Sequence, residues 1–124
     1  MSPGVWIALA GAGALGAPSR YVIDQIVSER TGGDRPYGTF VVNVSGSFLL
    51  GLLTGLAAYH AFPGTPKVVL GSGFIGAYTT FSTFALESVD LARSGEVRAA
   101  LWNLFGSLCA GALAAAAGLA LAAL

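Results

Sequence analysis

The chain alternates between long apolar stretches and short polar connections. Each of four stretches reaches the roughly 20 residues that an α-helix needs to cross ~30 Å of hydrocarbon. Strands with alternating apolar and polar residues, which would indicate a membrane β-barrel, are absent. We therefore predict an all-α membrane protein, one domain over residues 1–124, whose four transmembrane helices are Val5–Val27, Gly38–Phe62, Val68–Ala92 and Val97–Leu124.

The composition supports a surface that meets a lipid bilayer. Hydrophobic residues make up 55% of the chain and charged residues only 10%, whereas a soluble domain carries about 25% charged residues. Six basic and six acidic residues cancel, so no basic surface is available for nucleic acid. The single cysteine, Cys109, excludes an intrachain disulfide.

Small residues repeat every four positions on two of the predicted helices, a spacing that lets helix backbones approach closely in lipid. Four helices of ordinary width enclose little space, so a transport pathway requires a second subunit, and we predict a dimer. Glycines in the first stretch also form a G-x-G-x-x-G pattern, but the strand–helix alternation of a dinucleotide-binding fold is missing. We expect them instead to thin the first helix where subunits meet. The small residues are Ser47, Gly51 and Gly55; Gly106, Ala110 and Ala114; and Gly11, Gly13 and Gly16.

Polar side chains form stripes at four-residue spacing on the second and fourth helices. Polar groups at membrane depth are costly and often mark a transport pathway. They could also bond to one another and hold the helices together, and the stripes alone leave both interpretations open. The stripes are Thr39, Asn43 and Ser47, and Asn103 and Ser107 continued by Gly111.

The third stretch predicts a broken helix. Residues 71–84 combine three glycines with neighbouring threonines, and both residue types weaken a helix. The centre of this stretch falls near Thr79, so a break would lie near the bilayer midplane, where irregular backbone must be buried or line a polar cavity. Freed carbonyl groups there could bind a cation. An unbroken helix with close glycine contacts is the alternative.

Two phenylalanines follow the predicted break. Phe81 and Phe84 are three residues apart, and hence neighbours on one helix face. Phenylalanines in a membrane helix ordinarily face lipid or a protein core, but these two lie among hydroxyl side chains. Because the edge of an aromatic ring is positive, such a pair could favour a small anion without a formal charge.

Three stretches together resemble the CrcB/Fluc fluoride channel family. They are GAGALGAPSRY from Gly11, GTFVVNVSGSF from Gly38 and GFIGAYTTFSTFALE from Gly73. The match follows the order of the family's signature stretches over essentially the whole chain. The resemblance implies a fluoride-selective channel, not an enzyme, that exports fluoride passively from a plasma (inner) membrane and relieves its toxicity.

The resemblance also implies an antiparallel dimer with two fluoride pathways and residue roles. It places Asn43 in the pore as a donor and Phe81 and Phe84 as paired rings facing fluoride. The backbone carbonyls of Gly76 and Thr79 would hold a structural sodium ion shared between subunits. Such sharing agrees with the twofold axis of an inverted dimer, which lies in the membrane plane and meets a midplane break. Further roles fall to Arg20 near a pore entrance, and to Thr39, Thr83, Glu87 and Ser107 along the polar path or its supports.

One position departs from the family pattern, since Asn103 stands where we align a fourth-helix tyrosine. The main alternative function is a proton-coupled small dual-topology exporter, which would require a carboxylate deep in the membrane. Asp24 and Glu87 lie instead toward helix ends. Neither a nucleophile–base pair nor a metal-ligand cluster indicates an enzyme.

The positive charges are distributed unequally between the two predicted membrane faces. The face shared by the N-terminus and the second connection has one basic side chain, and the other face has five. Basic residues favour the cytoplasmic side, so we predict both termini outside and a preferred orientation. An oppositely oriented paralogous subunit could then complete the dimer, and an identical second subunit is the alternative. The single basic residue is Lys67, and the five are Arg20, Arg30, Arg35, Arg93 and Arg98.

Overall fold

The computed structural model describes all 124 residues, and its regular structure is entirely helical. Short connections join the helices, and one stretch of π-helix follows α3 directly. The elements are α1 (Pro3–Thr31), α2 (Tyr37–Tyr59), α3 (Gly64–Val68), a π-helix (Val69–Ile75), α4 (Gly76–Tyr78), α5 (Phe81–Arg93) and α6 (Val97–Ala122).

Three helical stretches are long and apolar enough to cross a membrane: α2, the continuous run Gly64–Arg93, and α6. Two of them both begin and end within three residues of the predicted spans, and the third begins four residues early. Only 18 of the 124 residues are buried, and many large apolar side chains are exposed on the outer surface. An apolar surface of this extent suits a hydrocarbon environment.

The first helix is longer than predicted. α1 runs through Pro18 without ending and stops only at Gly32, whose φ of 85° is left-handed. Such a residue commonly terminates a helix because glycine adopts positive φ without strain. Beside the proline, the Ser19 hydroxyl donates to the Leu15 carbonyl at 2.7 Å.

α2 and α6 pack closely, and the small residues predicted on α2 lie in that contact. A Cβ on Gly51 would collide with the Ala115 carbonyl, so only glycine permits this backbone approach. On α6 the close approach to α2 runs through Ala115 and Gly118, whereas a Cβ on the predicted Gly106 would meet only Trp102 of its own helix. Periodicity identified a small-residue face, but several faces of this alanine-rich helix qualify.

α1 packs against the π-helix and α4. A Cβ on Gly16 would collide with the Phe74 carbonyl, and one on Gly13 would lie 3.6 Å from the Gly73 carbonyl. The expectation that these glycines thin the helix between subunits was therefore wrong for Gly13 and Gly16, because both face the third span of their own chain. A π-helix is wider than an α-helix and frequently occurs at functional sites.

Candidate functional site

The predicted break in the third span lies between α4 and α5. Thr79 (φ −82°, ψ 160°) and Thr80 (φ −146°, ψ 122°) are extended. The Thr80 hydroxyl then caps α5 by accepting from the Thr83 amide at 3.2 Å. Two consecutive threonines are suited to this place, since β-branched residues favour extended backbone and a threonine oxygen can cap a helix.

The carboxamide of Asn43 on α2 pairs with the extended backbone. Its Nδ2 donates to the Thr80 carbonyl and its Oδ1 accepts from the Thr80 amide, both at 2.8 Å. The Thr80 amide would return to the Gly76 carbonyl in an uninterrupted helix, so the Asn43 bond takes its place. Asn43, predicted as a pore donor, therefore has one Nδ2 hydrogen left for another acceptor.

An uncharged cavity of about 370 Å³ adjoins the break between α2, α5 and α6. It brings together five of the predicted site residues, Thr79 among them, and its other lining side chains are apolar, hydroxyl or glycine. The lining residues are Asn43, Ser47, Leu50, Ile75, Thr79, Thr80, Phe81, Phe84, Ser107, Leu108, Gly111 and Ala112. We refer to it as the central cavity.

The two phenylalanine rings lie together on the wall of the central cavity. Their centroids are 5.9 Å apart and their planes are inclined by 55°. Phe84 is 7% exposed, whereas Phe81 is 77% exposed. Both rings line the central cavity, and an aromatic ring edge is the part that attracts an anion.

One hydroxyl group of the central cavity has no partner. Ser107 Oγ on α6 is buried and makes no hydrogen bond. By contrast, Ser47 Oγ across the cavity donates to the Asn43 carbonyl at 2.8 Å. An unpaired buried hydroxyl lowers the stability of the fold by roughly 1–3 kcal/mol. The Ser107 hydroxyl is therefore available to donate a hydrogen bond to an ion in the cavity.

Arg20, Thr39 and Thr83 lie instead around a smaller cavity of about 200 Å³ between α1, α2 and α5. Arg20, expected near a pore entrance, donates from Nη1 to the Thr79 carbonyl at 3.2 Å. It thus places a positive charge directly behind the break. Thr80 lines both cavities and forms part of the wall between them.

Glu87 on α5 is tied to α2. Its Oε1 accepts from the Thr39 hydroxyl at 2.8 Å, and Thr39 is 4% exposed. Its Oε2 is buried without a partner, and the residue lines an acidic cleft with Asp24 and Asp90. Glu87 therefore holds Thr39, which lines the smaller cavity, and does not itself line the central cavity.

Comparison with known proteins identifies the relationship of the chain. Residues 6–119 match the profile of the family described as "CrcB-like protein, Camphor Resistance (CrcB)". The chain belongs to the CrcB family. This agrees with the resemblance that the three signature stretches indicated.

Curated relatives of this CrcB-family chain are named as fluoride channels. A protein of Symbiobacterium thermophilum, "Fluoride-specific ion channel FluC 1", is 48% identical over 94% of this chain and 95% of its own length. One of the same name from Leifsonia xyli subsp. xyli is 47% identical over 87% of this chain and 79% of its own length. "Fluoride-specific ion channel FluC" of Acidobacterium capsulatum is 45% identical, covering 89% and 87% respectively.

Asn103, the departure from the CrcB pattern, bonds away from the central cavity. Its Nδ2 donates to Ser88 Oγ at 2.8 Å, and Ser88 Oγ donates to the Phe84 carbonyl at 2.8 Å. Ser88 is 4% exposed. The two residues thus tie α6 to the backbone that carries the inner phenylalanine.

Sequence reasoning missed Thr80 as a site residue. It lines both cavities, caps α5 and receives the Asn43 carboxamide. The pair of consecutive threonines at the centre of the span was a signal for it, because the second of two extended residues is placed to cap the next helix.

Proposed function

We propose that the chain is a subunit of a fluoride-selective ion channel that passes fluoride passively and so relieves its toxicity. The observation that carries this proposal is the central cavity, which an unpaired hydroxyl, an amide and two aromatic rings line without any charged side chain. The names of the Symbiobacterium and Leifsonia relatives support fluoride as the ion.

Fluoride is compact and strongly hydrated, so a pathway must replace its water with several close donors. In the central cavity these are the Ser107 hydroxyl, the remaining Nδ2 hydrogen of Asn43, and the edges of Phe81 and Phe84. Conduction also requires that the ion leave again. Neutral donors attract the anion without the deep binding that a lysine or arginine in the cavity would cause.

Arg20 and the smaller cavity contribute in a different way. The Arg20 guanidinium contacts the Thr79 carbonyl and therefore raises the local potential behind the break, in favour of an anion. Thr39, Thr83 and Glu87 form the polar support of this side. Their proposed role is to hold Arg20 and the start of α5 in place.

A second subunit is proposed because one chain leaves the central cavity open. Phe81 is 77% exposed and would face a partner rather than lipid in a closed pathway. We propose an antiparallel arrangement of two subunits with four membrane-spanning helices each, α1 included, and two pathways. An inverted dimer brings the breaks of both third spans to the twofold axis.

The same break supports the proposed structural sodium site. The Thr80 amide is bound by Asn43, so the Gly76 carbonyl lacks its ordinary helical donor, and the Thr79 carbonyl keeps a second lone pair beside its bond to Arg20. Neutral oxygens suit a hard cation, and two subunits would supply four. Sodium bound there would provide a fixed positive charge between the subunits.

The multi-pass chain is proposed to reside in the plasma (inner) membrane with both termini outside, because four of its six basic residues lie at the connections α1–α2 and α5–α6, while Arg20 contacts the break. Accessibility of tags placed at each terminus tests this. Labelling from one side of intact cells is expected, and equal labelling from both sides would contradict a preferred orientation.

The decisive experiment is ion efflux from liposomes that contain only this chain. Fluoride efflux with little chloride efflux is expected, driven by the fluoride gradient and voltage alone. Equal passage of both halides would overturn the proposal. The buried, unpaired Oε2 of Glu87 gives the proton-coupled exporter its one structural argument, and transport that depends on an imposed pH gradient would favour that exporter.

A further inference from the structure

A second large cavity lies beside the central one, toward the connections that precede α2 and α6. It measures about 490 Å³. Ser107 lines both cavities, so the unpaired hydroxyl stands where they adjoin. We call this second space the outer cavity. Its lining residues are Arg35, Pro36, Tyr37, Phe40, Leu91, Ala99, Trp102, Asn103, Gly106 and Ser107.

Arg35 is the one charged residue on the wall of the outer cavity. Its Nη1 lies 2.7 Å from Glu96 Oε2, which joins the first connection to the residue before α6. The two side chains are 39% and 48% exposed, so the pair is accessible to ions in the surrounding solution. Arg35 and Glu96 also both line the neighbouring acidic cleft, where Asp34 and Asp90 add to the negative field.

We propose that Arg35 is an anion-attracting residue at the mouth of the pathway and that the negative charge of Glu96 partly cancels its field. This inference rests on the proposed channel function, because it places the outer cavity in series with the central one through Ser107. The ligand that Arg35 would attract is a small hydrated anion, chiefly fluoride. A positive charge at a pore mouth raises the local concentration of anions and thereby their rate of entry.

The geometry allows the charges to be changed without loss of the fold. Exposed ion pairs contribute little to stability, and this pair connects two loops rather than two buried helices. The central cavity contains neither residue. Substitution at Arg35 or Glu96 should therefore alter the field at the mouth while the donors of the central cavity stay in place.

The test compares charge-neutralising variants by fluoride efflux from liposomes. Glu96→Gln removes the carboxylate paired with Arg35 and should raise efflux about twofold, since one charge roughly 10 Å from the path changes local anion concentration by about that factor. Arg35→Gln leaves Glu96 unopposed and should lower efflux by about the same factor. The double variant should return close to the wild-type rate.

Ionic strength separates this field effect from a structural one. At about 0.01 M salt the screening length is roughly 30 Å, and at about 1 M it is roughly 3 Å. The difference in fluoride efflux between the two variants should be largest at the lower salt concentration and should disappear at the higher one. Glu29→Gln and Arg30→Gln remove the same charges from exposed positions at the end of α1, and should leave efflux unchanged.

The outcomes distinguish this inference from the proposed function. A wild-type chain that passes fluoride, while both variants match it or shift in the same direction, would overturn the role of Arg35 alone. A difference that persists at high salt would overturn it as well. A wild-type chain that passes no fluoride, either alone or together with a paralogous subunit of opposite orientation, would overturn the proposed function and, with it, this inference.

Discussion

The pairing of Asn43 with Thr80 predicts a large and specific loss of stability in Asn43→Ala. The substitution removes two hydrogen bonds of 2.8 Å and leaves the amide and carbonyl of Thr80 without those partners, in a residue that is 8% exposed. Each unsatisfied buried group costs about 1–3 kcal/mol, so we expect a loss of about 2–6 kcal/mol. That is a substantial part of the roughly 5–15 kcal/mol that stabilises a typical protein.

Ser47→Ala is the matched control for this prediction. Ser47 also lines the central cavity, but its hydroxyl donates to the Asn43 carbonyl within its own helix. Losing this bond leaves a carbonyl on the regular helical part of α2 and should cost about 1 kcal/mol or less.

Equilibrium unfolding in mixed micelles of increasing SDS fraction, followed by tryptophan fluorescence, measures both variants. Asn43→Ala should also reduce fluoride efflux by more than its loss of folded protein, because the break and the remaining Nδ2 donor are disturbed together. An Asn43→Ala variant as stable as Ser47→Ala would refute the reasoning, since the carboxamide would then not support the extended backbone.

Three further predictions concern the central cavity and its walls. Phe81→Ile and Phe84→Ile each remove an aromatic edge while retaining apolar volume, so fluoride efflux should fall at least tenfold with assembly by size exclusion unchanged; efflux at the wild-type rate in both would remove the ring-edge role. Ser107→Ala removes the unpaired hydroxyl and should lower efflux several-fold without loss of stability in the micelle assay, whereas a destabilised variant would show that the hydroxyl has a structural partner. Gly51→Ala should cost about 1–3 kcal/mol through overpacking against α6. Gly64→Ala, whose added methyl meets nothing within 4 Å, should be neutral, and equal effects would contradict the close packing of α2 on α6.

Much of this arrangement could be predicted from residue patterns. Four-residue spacing placed Asn43 and Ser47 on one face of α2, and both line the central cavity. Glycines and consecutive threonines located the break at Thr79. The spacing of Phe81 and Phe84 predicted neighbouring rings, and their centroids are 5.9 Å apart. These features depend on local backbone preference and helix periodicity, which a sequence displays directly.

Partners across the fold could not be predicted in the same way. Nothing in the spacing of Asn43 indicates that its carboxamide pairs with a backbone 37 residues away, or that Thr80 separates two cavities. Arg20 was expected at an entrance and contacts the break instead. Asn103 continues the polar stripe of α6 but bonds to Ser88 on α5.

Composition and periodicity are enough to predict a helical chain that meets lipid and interrupts its third span among neutral donors, because both act locally. Which helix each face meets depends on packing across the fold. On α6 the choice among several small-residue faces was made by the fit of Gly118 against the Phe48 carbonyl of α2. Close packing selects one such fit, and that fit determines which donors remain unpaired for an ion.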